Sequence, residues 1–107
     1  MSSKDIEAIY GEKAISKLER KYIFSLMADL DKLNKLDSLN GKEITGIFRT
    51  YEVMILLMNI KEKLAFLRKE NFNEFKTIFY LAYGNNNKEQ MQHAKKLIRQ
   101  KEEALNN

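Results

Sequence analysis

A chain of 107 residues without cysteine or proline can bury one modest core, but it can hold neither disulfides nor a thiolate metal site. Its net charge of +4, with 19 basic and 15 acidic residues interspersed, falls short of the concentrated charge of a dedicated nucleic-acid binder. The longest apolar run, Val53 to Met58, is far below the roughly 20 residues of a membrane span, and the first residues lack a signal-peptide core, so a soluble cytoplasmic protein is expected.

With no proline to interrupt it, the chain favours long helices over a turn-rich β protein. An asparagine followed three residues later by Glu or Gln occurs at Asn40…Glu43, Asn71…Glu74 and Asn87…Gln90. Each copy opens an apolar stretch of helical period. The Asn side chain can accept from a free first-turn N–H while the Glu or Gln reaches back, so three helix starts are expected there.

A short first helix is expected over Ser3–Tyr10, with Ser2 as its cap, and Gly11 ends it or bends it into the next. The second, about 12–36, carries Ile15, Leu18, Tyr22, Leu26, Leu30, Leu33 and Leu36 at spacings of three and four, the amphipathic signature. Phe24 and Met27 fall on its other side. The loop that follows, 37–42, is short, so the next helix should return antiparallel.

The third helix, about 43–69, changes its apolar face. Ile44, Ile47, Phe48, Tyr51, Met54, Ile55 and Met58 form one set; Val53, Leu57, Ile60, Leu64 and Leu67 form another. At about 100° per residue the two point in nearly opposite directions. A central helix covered from two sides is the expectation.

The fourth helix, about 72–83, should bury Phe72, Phe75, Ile78, Phe79, Ala82 and Tyr83, leaving Tyr80 and Leu81 off the face. Gly84 is placed for a left-handed cap. The fifth, about 88–105, has a thin apolar stripe of Met91, Ala94, Ile98 and Leu105, which would suit a peripheral helix. Opposite it runs a basic stripe of Lys88, Lys95, Lys96 and Arg99. The fold expected is therefore one all-α domain over residues 1–107, an antiparallel helical bundle of four main helices plus a short N-terminal one.

Catalytic chemistry finds little support. Setting Gly41 at the sixth position of a calcium loop puts Leu36 first and Ile47 twelfth, where carboxylates are required. His93 is the only histidine, so even with Glu89 one turn earlier a metal site lacks its third and fourth ligands. Asp29 and Asp31 diverge around a helix, and no Glu-x-x-His array or phosphate loop is present. Neither catalytic residues nor a metal or cofactor is expected.

The reading is of a small non-enzymatic protein-binding accessory or regulatory factor. Phe24, Met27, Tyr80 and Leu81 either contact the partner or cover the small first and last helices. A second copy of the chain could also satisfy the spare apolar residues, as a two-fold homo-oligomer. The abundance of Lys, Asn, Ile and Phe over Ala, Gly and Pro is the usage of AT-rich coding, as in low-GC bacteria and their phages and plasmids, and a phage- or plasmid-encoded protein is one expectation. The alternative is a nucleic-acid-associated accessory protein, with Lys88, Lys95, Lys96 and Arg99 lying along a phosphate backbone.

Overall fold

A computed structural model describes residues 3–38 and 46–107. Ser2, the cap pair Asn40…Glu43 and Ile44 lie outside the described residues, as do the side chains of Ser3, Glu7 and Ile47. Five helices follow in order: α1 (Ser3–Tyr10), α2 (Glu12–Ser38), α3 (Gly46–Phe66), α4 (Lys69–Tyr83) and α5 (Glu89–Asn106). No strand occurs among the described residues, and the all-α bundle read from the sequence is what the chain builds.

The central helix is α2 rather than the third. Its 27 residues rise about 40 Å at 1.5 Å each, most of the molecule's 49 Å length, and it packs against each of the other four helices. Gly11 turns the chain back onto it at a φ of +88°, a conformation cheap only for glycine. From α2 to α5 the chain runs up and down. Glu19 and Asp29 of α2 reach Arg68 and Lys63 at the far end of α3, so those helices are antiparallel. Glu19 also meets Asn71, and Asp31 meets Tyr83, so α4 runs parallel to α2. Asp37 meets the first turn of α5, which returns antiparallel.

The core follows from the periodicity. Ile15, Leu26, Leu30 and Leu33 of α2, Ile60 and Leu64 of α3, and Phe72, Phe75 and Phe79 of α4 are buried as the spacing required. Ile78 and Ala82, placed on the same face in the sequence reading, are exposed instead. The last helix is integral rather than peripheral, because Met91, Ala94 and Ile98 have no exposed surface. Its stripe is thin because α5 packs in the groove that α2 and α3 form.

Three acids on α2 fix α3, α4 and α5, and sequence periodicity did not mark them. Glu19 is fully buried. Its Oε1 accepts from Arg68 Nε at 2.5 Å, and its Oε2 accepts from the Arg68 backbone N–H at 3.3 Å and from the Asn71 amide. Asp29 accepts from Lys63 Nζ at 2.5 Å. Asp37 accepts the backbone N–H groups of Gln90 and Met91, both at 3.0 Å.

These contacts displace two of the expected caps. α4 starts at Lys69, so Asn71 lies inside its first turn and gives its amide to Glu19. At α5 the free N–H groups are taken by Asp37 from across the bundle, while Asn87 accepts from the Gln92 side chain at 2.9 Å. A buried carboxylate on a rigid neighbour outcompetes a local asparagine, since charged acceptors bind N–H groups more strongly. Gly84 is not left-handed either; its φ is −55°. Glycine is needed there for space, because a Cβ would sit 2.4 Å from the Tyr80 carbonyl oxygen.

A candidate interaction surface on α3

The apolar residues of α3 divide between two faces, as their spacing predicted, but only one is covered. Val53, Ile60 and Leu64 of the second set are buried in the core shared with α2 and α5, as is Leu56, which the spacing had placed in neither set, while Leu57 is half-buried. On the opposite side Phe48 is 67% exposed, Tyr51 61%, Met54 54%, Ile55 37% and Met58 58%. The expectation of a helix covered from two sides therefore fails for this chain alone. With α2 at the centre, four helices close around a core that touches α3 on one side only.

The exposed stripe runs from Phe48 to Met58, about 15 Å of helix at 1.5 Å per residue. No charged residue occurs from Val53 to Ile60. On its α5 flank lies a shallow groove of about 300 Å³ lined by Leu57, Met58, Leu97, His93 and Lys96. His93 is an exposed residue of that rim, and no group of three or more His, Cys, Asp or Glu able to hold a metal occurs among the described residues.

The four off-face residues do not share one environment. Phe24 and Leu81 are exposed. Met27 packs against the core instead. The Tyr80 ring stands edge-on to Phe79, with centroids 5.1 Å apart, and lines an open groove with Arg99, Glu102 and Glu103. Phe24 sits on α2 and Leu81 on α4, and both side chains face water.

The basic stripe of α5 is likewise divided. Lys95 is buried, and its Nζ donates to the carbonyls of Gly84 at 2.9 Å and Asn86 at 2.8 Å. Its charge thus serves the negative end of α4. Lys88 Nζ donates to Ser38 Oγ at 2.7 Å. Arg99 shares its groove with two carboxylates, and Lys96 lies in the other groove beside α3. Sequence spacing placed these cations on one face but could not show that a neighbouring helix end would claim Lys95.

The α3 stripe was visible as a pattern in the sequence; what the sequence lacked was which of its two faces the bundle would cover. Among the described residues no helix is long and apolar enough to cross a membrane. The chain matches no protein-family model, no curated protein and no solved structure.

Proposed function

We propose that this chain acts by binding protein through the exposed face of α3, as a small non-enzymatic accessory or regulatory factor. One observation carries the reading: five large apolar side chains lie side by side in water on the face opposite the core. Exposed apolar surface that is contiguous, rather than scattered singly, marks interaction sites in soluble proteins. Phe24 and Leu81, which are also exposed, are secondary candidates for contact. The cysteine-free composition fits a reducing cytoplasm, and the AT-rich residue usage fits a low-GC bacterium or its phages and plasmids. The nucleic-acid alternative gains no specific support, since Lys95 is held by two carbonyls.

The test uses Tyr51→Lys, which keeps helix propensity while placing a charge in the stripe. Its helicity should match the parent. The immobilised parent chain should retain a defined protein from host extract, free copies of itself included, and Tyr51→Lys should not. Equal capture by both, or none by the parent, would overturn the reading.

A further inference from the structure

Phe48, Tyr51, Ile55 and Met58 follow one another at intervals of three, four and three residues. That alternation is the seam along which one helix seats another, knob against hole. Few charges flank the seam. Arg49 turns into the bundle toward Asp37, 4.0 Å away, which leaves Glu52 toward one end and Lys61 and Glu62 toward the other. An identical helix laid across in the opposite direction meets an opposed macrodipole and no block of like charge to repel it.

The area also fits. Side chains of this size at these exposures present on the order of 100 Å² each, so the five give about 500 Å² per chain, which with a polar rim approaches the ~800 Å² per partner of a standard interface. All five residues are large, and a stripe without small residues needs a partner that offers holes between its own knobs. The same stripe inverted offers them.

We propose that the α3 face is a homodimer interface, on which a second copy of this chain packs antiparallel about a two-fold axis passing beside Met54. The proposal rests on the reading of that face as a protein-binding surface and names its occupant. In this register Phe48 of one copy packs beside Met58 of the other, and Tyr51 beside Ile55. The two Met54 thioethers meet near the axis, where an unbranched side chain can adapt its shape. A two-fold contact of this kind is closed, so it yields dimers and not fibres.

The chain lacks cysteine, so introduced thiols report the register without background. By sedimentation the parent chain should be a dimer at tens of micromolar, and Ile55→Lys should raise the dissociation constant about 30-fold or more, as expected of a central apolar anchor. Met54→Cys should form a disulfide-linked dimer under mild oxidation that sediments like the parent. Phe48→Cys and Met58→Cys should each link poorly alone and link to one another when mixed. A parent chain that stays monomeric at hundreds of micromolar would overturn the proposal, as would an Ile55→Lys dimer of undiminished affinity. Self-linking of Phe48→Cys would show parallel packing and overturn it too. A monomer that still captures a host protein through Tyr51 would refute the second copy alone; a monomer that captures nothing would remove the protein-binding reading with it.

Discussion

A carboxylate with no water around it persists in a fold only when donors saturate its oxygens. Glu19 meets that condition where α3 hands over to α4: a guanidinium, a backbone N–H and a side-chain amide converge on it. The next turn of the bundle brings in a further cation, Lys101, whose Nζ donates to the Ala65 carbonyl at 3.3 Å. Burial pushes the Lys101 ammonium below its ordinary value, and the Glu19 charge offsets part of that shift. The sign of the pH effect follows. With its folded pKa depressed, Lys101 is more readily protonated in the unfolded chain, so stability rises with pH between the folded pKa and the unfolded value of about 10.4. Below that window the full penalty is present. Lys101→Met keeps the stem and removes the charge. It should therefore be at least as stable as the parent at neutral pH, with the advantage shrinking as pH approaches 10.4 in paired urea titrations. A Met variant less stable at neutral pH would show that attraction to Glu19 outweighs burial.

At the level of single helices, periodicity and composition revealed where all five begin or end to within about three residues. They did so because the core demands apolar side chains at intervals of three and four, whatever the tertiary arrangement. Caps were less legible. A local Asn-x-x-Gln box and a carboxylate 53 residues away compete for the same N–H groups, and only packing decides between them. The two readings predict opposite results. Asp37→Ala removes both acceptors from the start of α5 and should cost about 1–2 kcal/mol, the range of a lost N-cap. Asn87→Ala loses one exposed side-chain contact and should stay within about 0.5 kcal/mol of the parent. Chemical denaturation of the two variants separates them, and a larger loss at Asn87 would restore the local box. The basic stripe of α5 failed to stay together for a related reason: a lysine near a helix C-terminus is drawn to free carbonyls, and those of Gly84 and Asn86 lie within reach of Lys95.

Across the whole molecule, burial separates what the fold requires from what it merely carries. α1 packs on α2 alone among contacts of any extent. Ile6 is only half-buried there, Ile9 and Tyr10 are exposed, and a groove of about 420 Å³ remains beside Ile6, Ala14 and Leu18. α5, though it looks more polar in sequence, fills the centre of the bundle with Met91, Ala94 and Ile98. It also ties α4 through Lys95 to the Gly84 and Asn86 carbonyls and through the Lys76–Glu102 pair at 3.3 Å. Deleting residues 1–10 should therefore leave a helical domain that still unfolds in one cooperative step. Its thermal midpoint should fall by less than about 10 °C, since a half-buried isoleucine and its neighbours are worth about 1 kcal/mol and each kcal/mol shifts a domain of this size by roughly 4–8 °C. Deleting residues 88–107 exposes the Phe72, Phe75 and Phe79 cluster to water and leaves the Asp37 carboxylate without its N–H donors. That truncated chain should retain some helix but lose its cooperative melt, the signature of a core that no longer closes. A cooperative melt in the chain without α5, followed by differential scanning calorimetry, would return the last helix to the periphery and place the core in α2, α3 and α4 alone.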